Sequence, residues 1–406
     1  MTTGALRDLA KSLLPNWLWR KAADWQRERD LPAVAKVERA ADATGAFAQD
    51  PGIAPTVAAA LAWLDRAQDR SASADGGVAR HFSLLTGWAD SYPETTGYII
   101  PTLLECGAEA GQDELVERAR RMLDWCLEIQ MPDGGFQGGT VNARSKVAVT
   151  FNTGQILLGL AADAARWPKP AYRDAMHHAA IWLRDSLDAD GAWRKHPTPF
   201  AKPGEKTYET HVAWGLFEAE RAAPGNGYGE AGLRQVRWAL GKQAENGWFA
   251  DCCLEDRAHP LTHTLGYALR GVVEAYRLTG EASLLVAAEK TARGLLTALA
   301  DDGRLPGRLD AGWRAAVPWV CLTGSVQIAH SWLLLHEATG DPAYRDAARR
   351  ANAYVRRRVR LAGSPDQVGG IKGSFPVDGD YGRFEYLNWA AKFFIDANRA
   401  EARMAG

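Results

Sequence analysis

The stretch Leu261-Thr-His-Thr-Leu-Gly-Tyr-Ala-Leu-Arg-Gly-Val-Val-Glu-Ala275 decides the fold. Leu265, Ala268, Leu269, Val272 and Val273 recur at helical spacing. Thr262 reads as the residue that caps the first turn through its hydroxyl. Gly266 and Gly271 each cost about 1 kcal/mol against alanine inside a helix, so they signal close packing against neighbours. His259, His263 and Tyr267 crowd the start. The stretch reads as a buried rod with a polar, reactive end.

The same design recurs along the chain. Helices rich in Gly and Ala and apolar nearly all round are expected at about 96–106, 153–165, 210–222, 262–277, 323–338 and 385–398. Five of the six begin with Thr followed by Gly or His: Thr96-Gly97, Thr153-Gly154, Thr210-His211, Thr262-His263 and Thr323-Gly324. These Thr residues stand 57, 57, 52 and 61 positions apart, which is a repeat period. Between them fall amphipathic, charged helices at about 55–70, 113–130, 171–187, 229–245, 281–299 and 342–359. In the second of these, Leu115, Ala119, Met122, Leu123, Cys126 and Leu127 form one stripe, leaving a solvent face. Pro170-Ala-Tyr-Arg-Asp-Ala175 recurs letter for letter as Pro342-Ala-Tyr-Arg-Asp-Ala347, where Asp341 is placed to cap the helix. Turns such as Asp133-Gly-Gly-Phe136, Asp190-Gly-Ala-Trp193, Asn246-Gly-Trp-Phe249, Asp302-Gly-Arg-Leu305 and Gly373-Ser-Phe375 lead from each outer helix to the next inner one.

Six outer and six inner helices predict an all-α, closed (α/α)6 double ring over residues 55–406. A linear solenoid of helix pairs is the competing arrangement. Residues 1–54 form a separate N-terminal helical extension and linker. Its segment 6–21 is amphipathic, basic and Trp-rich, and reads either as an interfacial membrane helix or as a helix packed on the main body.

The totals narrow the function. The chain has 406 residues, 47% of them apolar, and a formal charge of -1, which gives no broad electrostatic case for nucleic acid. Sixteen Trp suit a core, or flat faces offered to ring-bearing ligands. The N-terminus lacks a charged segment followed by an apolar one, and no apolar run is long enough to span a membrane, so the expected location is cytoplasmic. Five Cys form no disulfide framework. Cys252, Cys253, His259 and His263 match no familiar zinc spacing, so no metal or cofactor is expected.

The repeat resembles the α/α-toroid superfamily. Glu128-Ile-Gln130 with Asp133-Gly-Gly-Phe136 looks like the Gln/Trp turns of the prenyltransferase and squalene-cyclase repeat. The layout also resembles carbohydrate-active toroids: N-acylglucosamine 2-epimerase-like enzymes, uronyl epimerases, glycoside hydrolases and polysaccharide lyases. Ser91-Tyr-Pro-Glu-Thr-Thr-Gly97 and Cys321-Leu-Thr-Gly324 resemble segments of toroids associated with polysaccharide biosynthesis. The resemblance implies a sugar or glycan substrate handled at one mouth of the ring.

Closure would gather the polar residues that precede or begin the inner helices. The catalytic candidates are Glu94, Glu209, His211, His263, Tyr267, Glu385 and Tyr386. Those placed to bind substrate are Tyr92, Tyr98, Tyr208, Trp248, His259, Gln327, His330, Asp378, Asp380, Arg383 and Asn388. Two carboxylates would suit glycoside hydrolysis. His and Tyr beside Arg would suit proton removal next to a carbonyl or carboxylate, as in epimerases and lyases. His211 and His263 stand where other repeats carry Gly, which draws attention to both rings. The alternatives are a terpenoid cyclase, with Asp378-Gly-Asp380 a partial match to its acid motif, and a non-catalytic glycan-binding or scaffold protein.

Overall fold

The computed structural model describes residues 30–45, 49–163 and 169–404. The chain divides into two compact units, residues 1–46 and 47–406. In the first, the described residues form helix α1 (Ala33–Ala43), which exposes Val34 and Val37. The amphipathic segment 6–21 lies outside the described residues.

The second unit is a double ring. Its outer helices are α2 (Ile53–Asp69), α4 (Asp113–Ile129), α6 (Pro170–Ser186), α8 (Tyr228–Leu240), α10 (Ala282–Ala298) and α12 (Pro342–Arg356). Its inner helices are α3 (Pro93–Ala110), α5 (Thr150–Asp163), α7 (Thr210–Ala222), α9 (Thr262–Thr279), α11 (Leu322–Thr339) and α13 (Asn388–Arg403). Every residue from Thr262 to Ala275 and from Leu322 to Leu335 is buried, as staves enclosed on all sides must be. On α4, Leu115, Ala119, Met122, Leu123 and Cys126 are buried and the opposite face is wet. The last stave meets the first. The Thr102 hydroxyl of α3 donates to Asp396 of α13 at 2.7 Å, and Arg399 reaches Glu105 at 3.2 Å. The ring is closed, which excludes the solenoid.

The small inner residues permit this closeness. A Cβ on Gly154 would fall 2.5 Å from a methyl of Val212 on the next stave. The turns from outer to inner helices form a second repeat. Gly134 adopts φ +96°, and a Cβ there would lie 2.6 Å from the His178 carbonyl oxygen of the next outer helix. Gly191, Gly247 and Gly303 sit the same way on α8, α10 and α12. In the sixth repeat this seat belongs to Gly369, which rests on Ala59 of α2 and joins the end of the ring to its beginning. The Gly373–Phe375 segment expected there lies further along, its last two residues forming a strand. Gln130 Nε2 donates to the Gly134 and Ala175 carbonyls at 3.0 and 2.9 Å, tying the end of α4 to α6.

Two local expectations need correction. Thr262 does not cap α9. Leu261 occupies the cap without a side-chain bond, and the Thr262 hydroxyl donates to the Gly307 carbonyl at 3.3 Å. The Thr262 N–H donates to the same carbonyl at 3.0 Å, so the following turn holds the start of the helix. The sixth inner helix begins at Asn388, because Glu385 and Tyr386 are drawn into a strand. With β1 (His81–Ser83), β2 (Gly87–Trp88), β3 (Val320–Cys321) and β4 (Ser374–Phe375), that strand is β5 (Glu385–Leu387). It pairs antiparallel with β1, His81 opposite Leu387, in a sheet ordered β2-β1-β5. Its partner lies some 300 residues away in sequence, beyond the reach of any local pattern. At α12 the expected cap is present: Asp341 Oδ1 accepts from Ala343 N–H at 3.0 Å, with Pro342 following.

Candidate active site

At the mouth where the inner helices begin, a cavity of about 490 Å³ opens, lined by Arg80, Tyr92, Glu94, Phe151, Tyr208, His263, Tyr267, Tyr381 and Trp389, among others. Glu94 lies in the first turn of α3, just after Pro93 starts the helix. Burial pushes its carboxyl up to about 7, against the opposing pull of the Tyr92 hydroxyl and the Arg80 guanidinium. It therefore changes charge near neutrality.

His263 is the second residue of α9. Its Nδ1 lies 2.7 Å from Gln327 Oε1 on α11. An amide oxygen only accepts, so Nδ1 carries the proton and Nε2 keeps its lone pair. Burial lowers its pKa to about 4, with the Gln327 bond opposing. His211 is built alike, with Nδ1 2.7 Å from Gln155 Oε1. Burial, then Arg270 and Lys392, holds it well below the ordinary value. The Tyr267 ring stands between both imidazoles, 4.4 Å from each centroid. Burial holds the phenols of Tyr92, Tyr208, Tyr267 and Tyr381 well above their usual range, so they remain donors.

Arg80 comes from the loop after α2. Its guanidinium lies 5.1 Å from the Trp389 ring and 5.8 Å from that of Tyr92. Nη1 reaches His81 Nδ1 at 2.7 Å and Glu385 Oε2 at 3.3 Å. The Trp389 indole donates to the Tyr381 hydroxyl at 2.8 Å, and the Tyr381 ring lies tilted against that of His263, centroids 5.2 Å apart.

The candidates from the sequence thus separate by location. Tyr92, Glu94, Tyr208, His263 and Tyr267 share the cavity. His211, Gln327 and Tyr98 are buried and support it. Glu385 pairs with Arg80 at its edge. Glu209 faces a separate side pocket with Lys206, and His330 faces a cavity among the later turns of the inner helices.

The rest lie elsewhere. His259 is exposed and bonds Asp256 at 3.0 Å. Trp248 packs edge-on against Trp313, plugging a turn. Tyr386 is buried and accepts from Gln367 at 3.3 Å. Asn388 Nδ2 donates to the Ala79 carbonyl and to Thr95 Oγ1, a structural tie. Asp378, Asp380 and Arg383 do not line the cavity.

Sequence reasoning missed Arg80, Phe151, Tyr381 and Trp389. Trp389 had a signal. Asn388-Trp389 opens α13 as Thr262-His263 opens α9, so aligning Asn388 with the recurring Thr marks the next residue. Arg80 and Tyr381 lie in loops with no repeat to flag them. Among the described residues no group of three or more His, Cys, Asp or Glu gathers as a metal site would require, and no helix is long and apolar enough to cross a membrane.

No family model and no curated protein sequence matches the chain. Solved structures do. An unsaturated glucuronyl hydrolase specific for heparin superposes with a TM-score of 0.69 at 15% identity, covering 86% of this chain and 96% of that one. Cellobiose 2-epimerase from Bacillus thermoamylovorans gives 0.68 at 12% identity, covering 84% and 96%. A D-mannose isomerase gives 0.68 at 10%, covering 86% and 97%. The ring of six helix pairs is therefore the (α/α)6 toroid, shared along nearly the full length of these proteins.

Proposed function

We propose that the protein is a carbohydrate-active enzyme that moves protons on a sugar, of the epimerase or lyase kind. The observation that carries this reading is one carboxyl, Glu94, and one imidazole, His263, with its lone pair fixed by Gln327, both facing an aromatic cavity beside Arg80. His263 Nε2 takes a proton from the carbon next to a carbonyl or carboxylate. Arg80 balances the charge that develops on oxygen. Protonated Glu94 returns a proton, to the carbon for epimerisation or to the departing oxygen for elimination. Hydrolysis by two carboxylates has less support, because Glu209, Asp378 and Asp380 do not line this cavity and Glu385 is engaged by Arg80. The names of the structural neighbours, a hydrolase, an epimerase and an isomerase of sugars, agree with a sugar ligand. A hydrolase among them fits glycan turnover better than biosynthesis.

The aromatic lining also suits an isoprenoid, which is the second reading. Against it, a carboxyl with a pKa of about 7 is a weak acid for protonating an alkene.

Incubating aldoses, disaccharides, uronate-ended oligosaccharides and an isoprenoid diphosphate in D2O tests both. The expected result is deuterium at carbon with a new epimer by NMR, or a new conjugated double bond by ultraviolet absorption. His263→Asn and Glu94→Gln should each lower kcat by about 10²–10⁴-fold with helicity retained. The rate should fall below about pH 4, as His263 gains a proton, and above about pH 7, as Glu94 loses one. Glycosidic cleavage with neither deuterium at carbon nor a new double bond would establish hydrolysis instead. Turnover of an isoprenoid diphosphate alone would establish the second reading. Sugar binding unchanged by either variant, without turnover, would make the protein a binder.

A further inference from the structure

The ring encloses a second cavity, of about 340 Å³, among the middle and late turns of the inner helices. Arg270 of α9, His330 of α11 and Lys392 of α13 line it. Each stands three residues, roughly one turn, beyond a residue of the first site: Tyr267, Gln327 and Trp389. Their burial is nearly complete, Lys392 being 2% exposed and the other two 9%.

The three offer donors. The Arg270 guanidinium lies 4.1 Å from the Trp214 ring, bonds Glu274 at 2.8 Å, and places Nη1 3.2 Å from His330 Nδ1. Arginine only donates, so His330 Nδ1 accepts and the ring proton resides on Nε2. Among the described residues nothing bonds that Nε2. The acids nearby are occupied or peripheral. Asp396 accepts from Lys392 at 2.6 Å and from Thr102 at 2.7 Å, Glu105 pairs with Arg399 at 3.2 Å, and Glu337 is exposed. Five cations line the space (Arg270, Arg277, Lys392, Arg399, Arg403) against three acids (Glu105, Glu337, Asp396). Glu274 and Glu109, which pair with Arg270, Arg277, Arg399 and Arg403 from beside it, balance the remaining two charges, so a ligand here is held by N–H donors rather than by net charge. Arg277 and Arg403 stand near helix C-termini, where a cation complements the dipole. The three buried donors have no such role. Apolar residues would fill the space at lower desolvation cost.

We propose that this cavity binds a small dianionic phosphate, free or carried as an ester, against Arg270, His330 and Lys392. The inference does not depend on the sugar reading, since its test is direct binding. Isothermal titration with inorganic phosphate and with glucose 6-phosphate, at ionic strength fixed by sodium chloride, should give saturable binding at one site. His330→Leu and Arg270→Gln should each raise Kd at least 10-fold. His330→Gln, which keeps an N–H donor, should recover most of the affinity. Arg80→Gln, in the other cavity, should leave Kd unchanged. Tighter binding of the ester assigns an ester as the ligand; equal or weaker binding assigns free phosphate. Absence of saturable heat overturns the proposal. So does binding lost in Arg80→Gln and kept in His330→Leu. Circular dichroism checks each fold, and the His330 pair suffices should Arg270→Gln unfold on losing its Glu274 partner.

Discussion

Glu209 shows how one side chain is decided by its surroundings. By type and position it belongs with the catalytic carboxylates, yet it faces a side pocket of about 200 Å³ beside Lys206 and Thr198, and among the described residues its Oε2 has no hydrogen-bond partner. Burial pushes its pKa from 4.5 up to about 8, with Lys206 opposing. Between those values the unfolded chain ionises and the folded one does not. The folded state then binds more protons, so stability falls as pH rises from about 4.5 to about 8 and levels off above. The contribution is on the order of 3–5 kcal/mol as an upper bound. Glu209→Gln should remove that slope, seen as a smaller drop in urea midpoint between pH 5 and pH 8 than in the wild type. An equal drop in both would refute it. His263 acts in the opposite sense. Its pKa is lowered from 6.5 to about 4, so its contribution is lost as pH falls through that window. The difference between wild type and Glu209→Gln isolates the glutamate.

At the scale of elements, the turn glycines carry as much of the architecture as the helices. Gly369 has φ +80°, and a Cβ would overlap the Ala59 carbonyl oxygen of α2. Gly280 ends α9 with φ +70° and has open space around its missing Cβ. Gly280→Ala should therefore cost only the left-handed strain, about 1 kcal/mol. Gly369→Ala adds a backbone collision at the joint of the ring and should cost more than about 2 kcal/mol. Chemical denaturation of the two variants checks the ranking, and equal losses would show that the joint is slack. The Asp-Gly and Asn-Gly turns were legible because their composition is local. The sixth was displaced in the reading because its seat on α2 is visible only once the ring closes.

At the scale of the whole molecule, closure depends on contacts between distant parts of the chain. Arg356, 5% exposed at the end of α12, bonds Asp50 at 2.7 Å and Asn398 and Glu401 of α13 at 2.7 and 3.0 Å. It fastens the segment before the first outer helix to the last inner one. Arg356→Met would leave the buried Glu401 carboxylate without its cation and should destabilise by about 3–5 kcal/mol. An unchanged denaturation midpoint would show that packing alone holds the ring.

The sequence by itself determined the twelve helices, their division into inner and outer, and the repeat that makes a toroid, because hydrophobic periodicity and turn chemistry act over a few residues. His263 and His211 were also legible, as departures from a repeated small residue. Tertiary structure alone decided which polar groups meet. Glu94 and His263 face one cavity, Glu209 and His330 face others, and Glu385 is drawn into a strand with the first repeat. Those outcomes rest on the direction of each side chain once six staves pack around an axis, and on loops such as that of Arg80, for which no short-range pattern exists.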